Sequence, residues 1–337
     1  MITFIACYRH LYTFRALRGR VLGPMMPATR AISYERFFAS RGLRPGTYVF
    51  TDFERMHPAE VRLASHIERF YRDRPGFRFL NVPARVRIRL GLLRSLKEHG
   101  LNSFDAYPAE SHPRPRRFPV FIRLSADHAG PIGGLIADQD ALEQRLAELE
   151  RSGVPLTGLL VVEYCADRLD DGLFEKFSVY RIGDRYTLAG LLVGQDWDVK
   201  SPDMDFVDDE IMQRHLTIMR EDHVSTAVRK AFELAGIDYG RADLGYGDGQ
   251  VQVYEINTNP SIKAGTRYIS EAHRESREIF RKRFAAMLHA VDLPGGAMVP
   301  LKLGRLDGPS RDRLRLATAR RPLPAPLAWV ARLRRPF

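Results

Sequence analysis

The sequence predicts a mixed α/β (α+β) protein with two or more lobes, and three observations support that class. A chain of 337 residues with 45% hydrophobic content can bury a large core. Amphipathic stretches of helical period alternate with short apolar runs of strand character. Glycine and proline punctuate the boundaries between them, as at Pro75-Gly76, Gly100 and Gly236.

In chain order, residues 1 to 45 carry aromatics and arginines in no clean period, with a helix expected around Ser33 to Ser40. Gly46 to Asp52 reads as a strand, Ala59 to Tyr71 as an amphipathic helix and Phe77 to Val82 as another strand, which makes 1–83 a reduced α/β lobe. Arg87 to His99 reads as a helix stopped by Gly100. Ala109 to Pro119 is expected to be an exposed loop, and Val120 to Leu124 a strand entering a glycine-containing loop, Ser125 to Gly134. Asp138 is placed to cap a helix that reaches Ser152, with Ala141, Leu142, Leu146 and Leu149 inward. Leu159 to Tyr164, Lys176 to Arg181 and Tyr186 to Val193 are expected to form an antiparallel meander that turns at Gly183-Asp184. A helix from Asp222 to Ala235 precedes two strands, and Ser270 to Ala290 forms the last long helix of a domain over 84–292. From Leu293 the periodicity fades, and 293–337 reads as a basic Pro/Arg-rich tail.

Charge is concentrated in that tail. Of the formal net charge of +11, the segment from Pro300 to Phe337 carries +8, with ten Lys or Arg against Asp307 and Asp312. The tail alone therefore leaves two readings open, a solvated basic segment or a contact with an anionic partner such as nucleic acid, an acidic protein or a membrane surface. Cys7 and Cys165 stand too far apart for a metal or redox motif, which argues against a disulfide framework and for a cytoplasmic setting. No apolar run approaches the roughly 20 residues that span a bilayer, and arginines interrupt residues 1 to 20, so neither a transmembrane segment nor a secretory signal is expected.

The chemistry lies in Tyr254-Glu255-Ile256-Asn257-Thr258-Asn259-Pro260. Residues two apart on a strand project to the same side, so Glu255 and Asn257 present two hard oxygen donors together. Asp243, on the partner strand of an expected hairpin, adds a second carboxylate. Such a set suits Mg2+ held against phosphate oxygens.

Arg241-Ala242-Asp243-Leu244 and Glu255-Ile256-Asn257-Thr258-Asn259-Pro260, taken together, resemble the closing motifs of the ATP-grasp superfamily, notably the D-alanine-D-alanine ligases and ribosomal-protein glutamate ligases. The resemblance covers about residues 84 to 292. It implies two α+β lobes that grip ATP, with Asp243, Glu255 and Asn257 binding one or two Mg2+ ions. It also implies that Arg89 and Arg123, at positions where the family has lysine, contact ATP. The Ser125 to Gly134 loop, with His128 and Gly130, would cover the phosphates, and Glu163, Tyr164 and Cys165 would form the adenine hinge. Lys176, rather than Arg181, is matched to the cation that reaches the nucleotide. Arg241 would stabilise the tetrahedral oxyanion, while Lys200, Ser261 and Lys263 lie toward the substrates.

The implied activity is an ATP- and Mg2+-dependent carboxylate-amine (or thiol) ligase working through an acyl phosphate on small-molecule or peptide substrates. A grasp-fold kinase and a non-catalytic nucleotide-binding protein are the alternatives. The sequence leaves the carboxylate, the acceptor and the oligomeric state open.

Overall fold

The computed structural model describes residues 1–337 except 127–129, 170–171, 200–207, 263–264, 266–267, 269, 305 and 320–337. The chain opens with β1 (Ile2–Ala6), a run of 3-10 turns over Tyr8–Arg18, β2 (Thr29–Ser33) and α1 (Tyr34–Phe38). It continues through β3 (Gly42–Leu43), β4 (Gly46–Phe50), α2 (Pro58–Tyr71) and β5 (Phe77–Leu80). β2, β1, β4 and β5 form one parallel sheet in that spatial order. This lobe is larger than the strand-helix-strand unit expected. β1 is buried along its whole length, so it lacks the alternation that marks a half-exposed strand.

Strand order reverses between β1 and β4, and such a point opens a crevice at the carboxyl ends of the strands. Cys7 and His10 follow β1, Asp52 follows β4 and Asn81 follows β5, so all four gather there.

Next come α3 (Arg89–Glu98), β6 (Ala106–Pro108), β7 (Val120–Leu124), α4 (Gln139–Arg151) and β8 (Leu159–Glu163). β6, β8 and β7 make a small antiparallel sheet, backed by Leu142, Leu146 and Leu149 of α4. Asp138 caps α4 as expected, accepting from the Ala141 N–H at 2.9 Å, but the Ala141 side chain is exposed. Ala109 is fully buried, because the chain leaving β6 tucks against β8 before it reaches the surface.

The largest antiparallel sheet has the order β10, β9, β11, β12, from β9 (Phe174–Ile182), β10 (Arg185–Gly194), β11 (Tyr239–Gly247) and β12 (Gln250–Asn257). β9 and β10 form the expected hairpin around Gly183, but β8 belongs to the other sheet, so there is no three-strand meander. Two helices separate β10 from β11, α5 (Asp209–Glu221) and α6 (Thr226–Ala235). Asp222 therefore ends α5, while Ser225 caps α6. Gly236, at φ +65°, closes α6, where an added Cβ would lie 2.5 Å from the Arg85 carbonyl oxygen.

α7 (Glu271–Val291) packs on this sheet, and β13 (Val299–Pro300) then pairs with β3. α8 (Gly308–Ala319) rests against α1 and α2, with Leu306 and Ala317 in the core of the N-terminal lobe. The first part of the expected tail is thus folded; the periodicity there is too short to show in sequence. Residues 320–337, with most of the tail's arginines, lie outside the described residues.

Asn81 locks the N-terminal lobe to the large sheet. Its Nδ2 donates to the carbonyls of Phe50 at 2.9 Å and Tyr239 at 2.7 Å, and its Oδ1 accepts from the N–H groups of Asp238 and Tyr239 at 2.7 and 2.8 Å. The side chain is fully buried, and all four bonds go to backbone. Asn81→Leu strips several buried backbone groups of their partners, each costing about 1–3 kcal/mol. The variant is expected to unfold at clearly lower urea concentration than the wild type; an unchanged midpoint would remove Asn81 from this role.

Candidate active site

The site is built on the β11–β12 hairpin. Asp243 stands directly opposite Glu255, and Arg241 opposite Asn257. A bulge follows, with Tyr254 as the extra residue and its hydroxyl donating to the Cys165 carbonyl at 3.1 Å. Directly opposed residues on one face lie about 5 Å apart at Cβ, so the two carboxylates are neighbours.

Each carboxylate is held by cations. Asp243, 4% exposed, accepts from Arg241 Nε at 2.9 Å and Nη2 at 3.3 Å and from Ser178 Oγ at 3.2 Å, with Lys176 Nζ at 3.1 Å. Lys176 and Ser178 come from β9, on the far side of β11. Glu255 pairs with Arg89 and with Arg123 Nη2, the latter at 3.3 Å. Arg89 is the first residue of α3, and its Nη1 also donates to the carbonyls of Leu124 and Ser125 at 2.9 and 3.0 Å, which fixes α3 to the end of β7. Seven of the residues singled out in the sequence therefore converge: Arg89, Arg123, Lys176, Arg241, Asp243, Glu255 and Asn257.

Two arginines share the Glu255 carboxylate. Burial pushes the Arg123 pKa down and Arg89 adds to the effect, while Glu255 offsets part of it. Arg123 Nε is buried with no hydrogen-bond partner among the described residues. An anion bound there would relieve both. The carboxylate side fits a hard divalent cation: Asp243 and Glu255 supply anionic oxygens, and Asn257 Oδ1 accepts one bond, from the Asn259 N–H at 2.8 Å, leaving a second lone pair.

Beside this cluster lies a cleft of about 90 Å3 between the small and the large antiparallel sheets. Its walls include Phe121, Tyr164, Cys165, Lys176, Trp197 and Tyr254. Trp197 packs on Phe121 with ring centroids 4.9 Å apart and meets Tyr164 edge-on at 5.7 Å. An apolar cleft with charged groups at one end has the lining of a small-molecule site.

Glu163 has a structural load of its own. Its carboxylate accepts from the N–H groups of Asp105 at 2.9 Å and Arg116 at 3.0 Å and from the Tyr107 hydroxyl at 2.8 Å. It pins β6 and the Arg116 segment to β8, so its carboxylate is engaged within the protein while the residue lines the cleft. Tyr164 and Cys165 line the cleft beside it, with the Cys165 thiol 3.1 Å from Ser103 Oγ and its pKa raised chiefly by burial. Gly130 sits at φ +96° in the segment that returns beside β7, where Pro131 bridges to Arg123. Ser261 is exposed just beyond Pro260. His128, Lys200 and Lys263 lie outside the described residues.

One tie escaped the sequence reading. Asn259 Nδ2 donates to Asp52 Oδ1 at 2.9 Å, and its Oδ1 accepts from Thr13 Oγ1 at 2.7 Å. Asp52, fully buried, also accepts from the Cys7 N–H at 2.9 Å and pairs with Arg55 at 3.3 Å. Burial pushes its pKa up, against the Asn259 and Cys7 bonds. Partners 207 and 246 positions away leave no local signal.

No protein-family model matches the chain, and no curated protein matches it. Among solved structures, the ATP-grasp ligase PsnB complexed with a minimal precursor is 14% identical, covering 86% of this chain and 98% of that one, with a TM-score of 0.48. D-alanine–D-alanine ligase from Bacillus anthracis complexed with ATP is 10% identical over 86% and 96% of the two chains, with a TM-score of 0.45. A RimK domain ATP-grasp protein from Sphaerobacter thermophilus is 14% identical over 83% and 98%, with a TM-score of 0.43. Over most of its length, the chain is similar to these ATP-grasp ligases.

Proposed function

We propose that this protein is an ATP- and Mg2+-dependent ligase that joins a carboxylate to an amine, or to a thiol, through an acyl phosphate. The observation that carries the reading is the pair of opposed carboxylates, Asp243 and Glu255, ringed by Arg89, Arg123, Lys176 and Arg241 at the end of an aromatic cleft. Negative and positive groups concentrated in one place suit a reaction whose charge develops on phosphate and carbonyl oxygens.

In this reading the adenine lies in the cleft against the cluster of Trp197, Phe121 and Tyr164, and the phosphates run toward Arg123 and Arg89. Asp243, Glu255 and Asn257 would hold Mg2+, which when bound would neutralise charge on the phosphate oxygens. A carboxylate is a poor acyl donor because its leaving group would be oxide. Its oxygen therefore attacks the γ-phosphorus, the bond from that phosphorus to the bridging oxygen breaks, and ADP leaves. The amine nitrogen then adds to the acyl carbon, the carbon–oxygen bond to phosphate breaks, inorganic phosphate departs and the nitrogen gives up one proton. Arg241, beside the metal acid, is placed to steady the oxyanion of that second step. Arginine at positions 89 and 123 keeps the charge of a lysine and adds a planar fork for two oxygens. The chain's residues work by positioning and electrostatics, with no covalent protein nucleophile.

The deciding experiment is incubation with ATP, Mg2+ and pooled acids, amines and peptides, read by mass spectrometry for condensed products formed with ADP. A stable phosphorylated product that needs no amine would assign a kinase instead. Nucleotide binding with no product from any pool would assign a non-catalytic binder. Glu255→Gln is expected to lower turnover by about 100-fold or more, because a metal and phosphate contact is lost in the transition state; full activity in this variant would overturn the metal assignment. Trp197→Ala is expected to weaken binding of a fluorescent ADP analogue by about tenfold, the scale of one lost aromatic stack. Unchanged affinity would move the adenine elsewhere.

A further inference from the structure

The run of 3-10 turns over Tyr8–Arg18 carries a pattern that the α-helical and strand periods both miss. In a 3-10 helix residues three apart eclipse one another, so each face repeats at every third position. Phe14 and Leu17 are buried in the main core with Leu11 packed against it, whereas Arg9, Tyr12, Arg15 and Arg18 are exposed. These four side chains therefore share one outward row, about 6 Å apart along the axis at about 2.0 Å of rise per residue. Tyr8, at the head of the row, is 70% exposed, and Tyr12 within it is 55% exposed.

The row has no acid of its own to meet it. The first acid of the chain is Glu35, and the side chains of Arg9, Arg15 and Arg18 make no ion pair or hydrogen bond among the described residues. Asp52, which reaches this segment through the Cys7 N–H and His10, is fully buried and also pairs with Arg55. Arg20, exposed as well, carries the positive charge past the end of the run.

The inner side of the run is fixed. Phe14 stacks on Phe4 of β1 with ring centroids 4.6 Å apart, and Thr13 Oγ1 donates to Asn259 Oδ1 at 2.7 Å. The guanidinium groups therefore stand on an anchored backbone, and like charges held side by side favour a polyanion laid along them. The row also begins where β1 ends, at the crevice that Asn259 closes from the other side.

We propose that this row is a docking surface for single-stranded nucleic acid. Its arginines take phosphates along the strand, each guanidinium offering a planar fork to two oxygens. Tyr8 and Tyr12 stack on bases between those contacts. A nucleic-acid backbone repeats its charge at a fixed interval and carries flat rings beside it, which matches cations and tyrosines alternating in one line. An acidic peptide would meet the same arginines and leave both rings unused. In a duplex the bases are already stacked on one another, so the rings would again have nothing to take. The surface is independent of the ligase reading, and no turnover enters its test.

The test is fluorescence anisotropy of a short labelled oligouridylate titrated with the full chain over a series of salt concentrations. Binding is expected to weaken steeply with salt. Arg9→Gln, Arg15→Gln and Arg18→Gln together are expected to weaken it at least about tenfold. They should also reduce the slope of log affinity against log salt by about 2, since each phosphate contact on a single strand contributes about 0.7. Tyr12→Ala is expected to weaken binding at least about fivefold with the slope unchanged, because a lost stack carries no charge. No binding, or affinity and slope that survive the triple substitution, overturns the surface; survival would place the contact on other cations, such as those of the basic C-terminal segment. Equal affinity for a duplex of the same length, or full affinity in Tyr12→Ala, overturns the assignment to a single strand. Tighter binding of poly-L-glutamate of matched charge would assign an acidic peptide instead.

Discussion

Asp243 and Glu255 face each other across one hairpin, and two nearly buried carboxylates at that spacing repel unless cations compensate them. The surrounding architecture supplies those cations from four separate elements. Lys176 comes from β9, Arg241 from β11 itself, Arg89 from the first turn of α3 and Arg123 from β7. Neither the large sheet nor the small one contains the whole set. Docking α3 and β7 against β12 is therefore the condition for the site, and the bonds from Arg89 to the Leu124 and Ser125 carbonyls fasten that docking.

A second constraint ties the N-terminal lobe to the same hairpin. The segment that follows Asn257 is held at Asn259 by Asp52 and Thr13, and the beginning of β11 is held by Asn81. These are buried polar bonds, fully satisfied, and such networks fix one arrangement where apolar packing alone would tolerate several. Asp52 and Asn81 both adopt left-handed backbone conformations, at φ +61° and +59°, just past the ends of parallel strands. Asn and Asp are the residues that accept that region most readily, and their short side chains then reach back to the neighbouring backbone. The carboxyl end of the parallel sheet and the end of β12 are thereby joined into one floor.

Much of this was legible locally. The hairpin, α2, α3, α4 and α7 follow from periodicity and from caps such as Asp138, Ser270 and Gly236, because those signals act over a few residues. β1 escaped because a strand buried on both faces does not alternate, and α5 escaped because Asp222 reads equally well as the start of the following helix. β8 was assigned to the wrong sheet for a related reason: its sequence is that of a buried strand, and nothing in it names a neighbour. Glu163 illustrates the limit within the site. A strand-end acid beside the cleft reads as a ligand contact, and nothing local shows that Asp105, Tyr107 and Arg116 also bind its oxygens.

The sequence by itself determined the chemistry of the hairpin, because residues two apart on a strand share a face and Arg241, Asp243, Glu255 and Asn257 are close along the chain. It also determined the spread of charge, including the basic C-terminal segment. Only the tertiary structure decided which cation meets which acid, since the partners of Glu255 lie 166 and 132 positions away. The same holds for the stack of Phe121 on Trp197, for the grip of Asp52 on Asn259 and for the bond from Arg281 to the Gly265 carbonyl. Each depends on long-range packing, which brings distant side chains into contact at distances that no local pattern encodes.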